Sequence, residues 1–443
     1  FGNDHLVFIA RELTKIFETY YRGKLGELID EIENNKDNQK GEFVLIVSAL
    51  KKDTQKEKII PVEEALKNTL NEISLKESVN IISKIYNISK KEIYKLALEI
   101  KKMNEITIIR PDDMHLHIRE GQIMQTVIQH TAKQFSRAII MPNLDNPIID
   151  AEMAYDYFLD IKKAAPNFEP LMTIYFNEYL NNDVLDSIQR SECVYGIKLY
   201  PSGVTTNSEK GIKSIDDCFP IFENMELKNI PLLLHGEVND PSIDIFDREK
   251  VFIDKYLVNI CKSFPKLRIV LEHISTKEAV EFVVEAHKDV AATITPQHML
   301  LNRNNLLSGG IKPHNYCLPI VKRSSHQKAI LNAAMSGNKK FFLGTDSAPH
   351  FRHQKESSCG CAGIYSALTA IEIYAQIFDE HNAITKLENF ASKFGAEFYK
   401  LPHNKDHLTL MKNNNLVPNK IEVENQELIP FLAGENLKWQ LKS

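Results

Sequence analysis

The chain has 443 residues, 43% of them apolar, and its 54 Lys plus Arg against 59 Asp plus Glu leave a net charge of −5. That length points to more than one domain with room for a sizeable core, and the slight acidic excess argues against a dedicated nucleic-acid-binding chain. No apolar run approaches the ~20 residues of a membrane helix, and six cysteines without a CxxC pair argue against a disulfide scaffold or zinc finger and read as reduced thiols in a cytoplasmic protein.

In chain order, residues 24–34 predict a short helix, 35–41 a polar loop and 42–48 (EFVLIVS) a buried strand. The charged stretch 51–58 reads as a linker. Helical patterns follow over 62–70, 75–86 and 90–102, and the pairs Ser74/Glu77 and Ser89/Glu92 have the spacing of two capping boxes. The last two helices, joined by Asn87-Ile88, fit a helix-turn-helix or equally a plain helical hairpin. Charge over residues 1–102 is close to balanced, 18 basic against 17 acidic. Lys90, Lys91, Lys95, Lys101 and Lys102 make one side of the last helix basic, which reads as a solvated face in preference to a contact with RNA phosphates.

After Met103 the rhythm changes. Eight short β-rich runs, at 106–109, 137–141, 171–176, 196–200, 232–235, 268–271, 291–295 and 341–344, alternate with helical stretches such as 153–164 and 276–287. This alternation is the signature of a (β/α)8 TIM barrel. A doubly wound sheet gives a similar rhythm but gathers its chemistry at one switch point. The chain is chemically lopsided as well, since 14 of its 15 histidines lie at or after His115.

A barrel carries its reactive side chains at the C-terminal ends of its strands. The predicted strand ends hold His115 and His117, Lys198, His235, His273 and Asp346. Taken singly, each histidine reads as a hydrogen-bonded core or surface residue, and Asp346 as a helix N-cap. Jointly they read as a metal site, and imidazole with carboxylate suits zinc. Lys198 is out of place among cation ligands. As a neutral amine it can add CO2 to give an anionic carbamate with two oxygens, able to bridge two zinc ions. The blander readings are a snorkelling lysine or a clamp for a substrate carboxylate.

Several motifs carry a family resemblance: RPDDMHLHIR at 110–119, AIIMPN at 138–143, KLYP at 198–201, LHGE at 234–237, EHIST at 272–276, GTDSAPH at 344–350 and RHQKESSCGCA at 352–362. From about residue 103 to the C-terminus the chain resembles the bacterial single-function dihydroorotases, metal-dependent TIM barrels of the amidohydrolase superfamily. The resemblance implies two zinc ions per subunit. His115, His117 and Asp346 would hold one, His235 and His273 the other, and Lys198, modified to N6-carboxylysine, would bridge them. It implies Asp346 as the proton shuttle, Arg119, Asn143 and His350 as holders of the substrate carboxylate, and the backbones of Leu318 and Ala362 as contacts of the ring amide. Thr205 and Thr206 match a mobile loop that closes over the substrate. The implied reaction interconverts N-carbamoyl-L-aspartate and L-dihydroorotate in a homodimer. Metal-activated water is nucleophilic near neutral pH, and Asp346 would protonate the leaving nitrogen. A hydantoinase or allantoinase is the alternative within the superfamily, separated by whether Arg119, Asn143 and His350 converge.

Over about residues 3–102 the motifs ARELTK (10–15), GEFVLI (41–46), LKESV (75–79) and KEIYKLA (91–97) resemble the C-terminal part of the small-subunit rRNA ribose methyltransferase. The glycine-rich S-adenosylmethionine site of that family has no counterpart here. The expected organisation is therefore a truncated methyltransferase piece at 1–50, its small helical tail at 51–102 and the barrel at 103–443. A fused or read-through gene pair, truncated at its front, accounts for that order. An rRNA-associated protein with a passenger barrel is the competing reading.

Overall fold

The computed structural model describes residues 2–34, 40–47 and 61–442, so most of the expected loop at 35–41 and the linker at 51–58 lie outside the described residues. The chain divides into two compact units, Phe1–Glu105 and Ile106–Ser443.

In the first unit, β1 (Leu6–Arg11) pairs antiparallel with both β2 (Thr19–Lys24) and β3 (Phe43–Val47), giving the order β2-β1-β3. Helix α1 (Leu25–Glu33) buries Leu28 with Val7, Ile9 and Tyr21. The strand expected to be buried is instead an edge strand, with Phe43, Val44, Leu45 and Ile46 all exposed. A continuous apolar run needs a layer on both faces to be buried, and the described residues place no second layer over β3. Three helices follow, α2 (Val62–Glu72), α3 (Leu75–Tyr86) and α4 (Lys90–Asn104), packed around Leu66, Val79, Ile82, Ile93, Ala97 and Ile100. Ser74 and Glu77 form the reciprocal capping box at the start of α3, and Asn87 closes that helix in the left-handed region at φ 54°. At α4, Ser89 accepts from the Glu92 N–H at 3.3 Å, but its hydroxyl donates to the Glu92 carboxylate at 2.7 Å, so only half of the expected box forms.

In the second unit, eight parallel strands follow one another around a barrel: β5 (Asp112–Leu116), β6 (Arg137–Ile140), β7 (Glu169–Tyr175), β8 (Val194–Leu199), β9 (Leu232–Leu234), β10 (Ile269–Leu271), β11 (Val290–Ile294) and β12 (Phe341–Leu343). Side chains alternate as a strand requires. Leu233, Val270, Ala291 and Phe342 join one apolar cluster, while their neighbours Leu232, Leu234, Ile269, Leu271, Ala292, Phe341 and Leu343 join another. Between β12 and β5 the ring is closed by backbone bonds, from the Asp346 N–H to the His115 carbonyl (2.8 Å) and from the His117 N–H to the Ser347 carbonyl (3.1 Å).

Residues 106–109 are not the first barrel strand: β4 (Glu105–Ile109) lies in a separate small sheet, ordered β16-β13-β4, with β13 (His407–Leu416) and β16 (Asn436–Leu441). The barrel begins at β5, whose Asp-Asp start looks unlike a buried strand. Partners make that burial tolerable. Arg137 grips Asp112 with two bonds (3.0 and 2.5 Å), and Asp113 accepts from the Thr345 N–H (2.8 Å) and hydroxyl (2.5 Å). The β-rich C-terminus, including the hairpin of β14 (Ile421–Val423) and β15 (Gln426–Leu428), was not expected from the sequence.

Candidate active site

The β12–β5 closure brings His115, His117 and Asp346 together. Their ligand atoms lie within 4.8 Å of one another and all three residues are buried. Asp346 Oδ1 is 3.2 Å from His117 Nε2 and 3.5 Å from His115 Nε2. Only glycine fits at position 344, where a Cβ would lie 2.7 Å from Thr293 Cβ and 3.0 Å from His115 Cβ. Burial drives the His117 imidazole down to about 3, so it is neutral and its lone pair is free to coordinate. Burial by itself would raise the Asp346 carboxyl, but the His117 hydrogen bond and the surrounding histidines carry it below its usual range.

His273 lies between this cluster and His235. Its ring centroid lies 4.9 Å from that of His115 and 4.7 Å from that of His235. Burial lowers both His235 and His273, so they too are neutral. Lys198, on β8, is fully buried above the Tyr200 ring (4.9 Å to the centroid). Burial pulls its amine down to about 8, against the opposing pull of Glu272 and Asp346. His115 Nε2, His273 Nδ1 and Lys198 Nζ are all buried without a hydrogen-bond partner. Buried polar atoms are rarely left unpaired in a native fold, and His115, His117 and Asp346 carry the imidazole and carboxylate donors that a metal site uses.

His117, His235, His273 and Asp346 share one cavity with Arg119, Asn143, Thr205, Thr206, Leu318 and Ala362. The Asn143 amide donates to the Thr206 carbonyl (3.0 Å) and the Thr206 hydroxyl to the Ala362 carbonyl (3.3 Å), so the 205–206 loop is pinned at the cavity. His350 does not line this cavity. It borders a neighbouring recess and meets the first through Arg119, whose Nη2 is 3.0 Å from its Nε2. Arg119 (φ 61°), His273 (φ 41°) and Asp346 (φ 47°) all hold the left-handed backbone that non-glycine residues avoid. Strain of this kind persists only where the surrounding structure enforces it.

No family model matches the chain. A dihydroorotase of Shewanella pealeana is 51% identical over 346 residues, which cover 77% of this chain and all of that protein. Among solved structures, the dihydroorotase of Campylobacter jejuni superposes with a TM-score of 0.71 at 37% identity, covering 77% of this chain and 98% of the other. A Saccharomyces cerevisiae dihydroorotase in complex with 5-fluoroorotic acid gives 0.72 at 34% identity, covering 76% and 98%. The chain belongs to the dihydroorotase family.

Dihydroorotases are metal-dependent TIM-barrel hydrolases of cyclic amides, and in this member the His/His/Asp cluster supplies a set of metal donors. The residues that sequence reasoning missed are those orienting the histidines. Glu272 Oε2 lies 2.8 Å from His115 Nδ1 and accepts from the Thr293 hydroxyl at 2.6 Å, so Nε2 is the ring nitrogen left for the cluster. Glu237 Oε2 lies 2.9 Å from His235 Nε2. Carboxylates behind ligating histidines fix tautomer and ring orientation. The available signal was a glutamate next to, or two residues beyond, a strand-end histidine, in EHIST and LHGE.

Proposed function

We propose that the barrel unit is a zinc-dependent dihydroorotase that cyclises N-carbamoyl-L-aspartate to L-dihydroorotate with release of water, reversibly, the third step of de novo pyrimidine synthesis. The observation that carries this reading is the single cavity shared by His117, His235, His273, Asp346, Arg119 and Asn143. In this reading His115, His117 and Asp346 would hold one zinc ion and His235 and His273 a second, and Lys198, as N6-carboxylysine, would supply oxygen ligands to them. The orphaned nitrogens and the buried, unpaired Lys198 amine support it. Bound zinc supplies Lewis acidity, which polarises an amide carbonyl and makes water nucleophilic near neutral pH.

The protein's own groups do the rest. Arg119 offers a planar fork to the substrate carboxylate, with Asn143 in the same cavity and His350 behind its guanidinium. The backbones of Leu318 and Ala362 receive the ring amide, and Thr205 and Thr206 cover the cavity. Asp346, its carboxyl held low by the His117 hydrogen bond, takes a proton from the attacking water and delivers it to the departing ring nitrogen. In the synthetic direction it returns that proton.

Steady-state hydrolysis of L-dihydroorotate, with hydantoin assayed in parallel, tests the reading. Dihydroorotate turnover is expected to vanish with a chelator and return with zinc. Preferential hydrolysis of hydantoin would assign the barrel to another cyclic amidase.

Residues 1–102 fit the C-terminal part of an rRNA ribose methyltransferase, a reading supported by their motifs and by the three-helix group α2–α4 with its capped α3 and α4. Lys90, Lys91 and Lys95 of α4 are exposed and suit a solvated face better than an rRNA contact. The six cysteines are free thiols, and among the described residues no helix is long and apolar enough to cross a membrane; the family resemblance suggests a cytoplasmic homodimer.

A further inference from the structure

Lys355 is 4% exposed, yet it forms no ion pair among the described residues. Its ammonium donates to three backbone carbonyls, those of Tyr316 (2.8 Å), Cys361 (2.8 Å) and Gly363 (2.6 Å). An ammonium has three N–H donors and no acceptor, so every donor is used. The acceptors come from two separate chain segments, and the Gly363 N–H adds a bond of 3.0 Å to the same Tyr316 carbonyl. Both segments border the candidate active site: Leu318 lies two residues after Tyr316, Ala362 sits between Cys361 and Gly363, and Leu318, Ala362 and Gly363 all line the cavity. Gly363 has φ 148°, and a Cβ there would lie 2.7 Å from the Ala348 carbonyl oxygen, so the segment has little freedom to shift on its own.

The geometry points to Lys355 as a positioning residue for substrate binding, a three-donor knot that holds the 316–318 and 361–363 backbones in register with each other across the cavity. The inference rests on the proposed reading in one respect, that these backbones contact the substrate ring. Lys355 touches neither metal donors nor reacting atoms, so its loss should act on binding and spare the chemical step.

Full-length Lys355→Met and Lys355→Arg are the variants to compare with the unaltered chain. Methionine keeps the length and apolar stem but donates nothing, and the planar guanidinium cannot aim a tripod of donors. In both, KM for L-dihydroorotate is expected to rise at least ten-fold, with kcat within three-fold and zinc content per chain unchanged. Amide hydrogen exchange is expected to speed up at least ten-fold over 316–319 and 361–364 while the barrel strands stay protected. An unchanged KM in folded Lys355→Met overturns the inference, as does an equal loss of kcat and zinc, which would mark a general structural role. If Lys355→Met does not fold, Lys355→Arg is read by the same criteria. The exchange measurement needs no substrate. A chain inactive on L-dihydroorotate therefore counts against the functional reading, while unaltered exchange at the two segments counts against Lys355.

Discussion

The two units of this chain treat buried polarity in opposite ways. Among the described residues of the N-terminal unit, the buried polar side chains are Ser78 and Ser83, and the interior consists of two small apolar clusters. The barrel unit buries Asp112, Asp113, Lys198, Glu237, Glu249, Glu272, Lys322, Lys355 and Glu372, besides its histidines. Removing a charge from water is costly unless partners replace the solvent. Most of these groups have such partners: Arg137 for Asp112, Thr345 for Asp113, Thr276 and the Ser275 N–H for Glu249. Burial still pushes the Asp113 carboxyl up to about 7 and Glu249 up to about 6. The contrast teaches that buried charge marks the working unit, because a fold bears this cost where the groups orient or perform chemistry.

The sharpest way to break the contrast is at Lys198. Lys198→Ala should abolish measurable turnover, a loss of at least about three orders of magnitude, together with most bound zinc, because the proposed bridge between metals is gone. Short carboxylic acids should restore part of both, while Lys198→Arg, which stays protonated, should not respond. Two tightly held zinc ions and normal turnover in Lys198→Ala would falsify the carbamate bridge.

Asp346→Asn should follow closely, with kcat down by roughly two to four orders of magnitude, the range for removing a positioned proton-transfer group, while the fold and part of the zinc remain. The amide oxygen can still coordinate but cannot take the proton. Activity within a few-fold of the unaltered chain counts against Asp346 as the shuttle.

A smaller effect separates buried charge that serves the site from buried charge that does not. Glu372, outside the cavity, has one oxygen accepting from the Leu441 N–H at 3.4 Å and the other unpaired. Burial raises its carboxyl from 4.5 to about 7. The folded state therefore binds the extra proton, and stability falls as pH rises from 4.5 towards 7 and stays reduced above it. Glu372→Gln should gain on the order of 2 kcal/mol at pH 8, with the gain vanishing near pH 4.5 and kcat unaltered. Chemical denaturation at the two pH values measures it, and equal stabilities at pH 8 count against the assignment.

The smallest expected effect lies in the N-terminal unit. Every proposed site residue is at or beyond His115, so removing residues 1–102 should leave kcat/KM within about two-fold. A shortened chain that is folded but inactive would show that the first unit contributes to the site.

Much of this was legible in the sequence. Seven of the eight barrel strands fall where apolar β-rich runs predict them, since a fully buried strand must be apolar on both faces, and α3 and α4 start at the predicted capping residues Ser74 and Ser89. The strand-end residues could be read because a parallel barrel turns the order of strands along the chain into a ring of side chains at one mouth. Other strands are not legible in the sequence, two of them for a clear tertiary reason. β5 was hidden by aspartates whose partners, Arg137 and Thr345, lie elsewhere in the chain, and β3 carries an apolar run at a sheet edge.

By itself, then, the sequence determined the periodic elements and the barrel, and it marked the strand-end histidines, Lys198 and Asp346 as candidates, because each follows from local pattern and chain order. Only the tertiary structure decided how those groups are held. Glu272 reaches His115 across 157 positions of chain, Arg119 and His350 meet across 231, and Lys355 ties together the segments around Leu318 and Ala362. A hydrogen bond depends on a few tenths of an ångström in the approach of its partners. Closure of the barrel fixes that approach between residues far apart in the chain, and no spacing along the sequence encodes it.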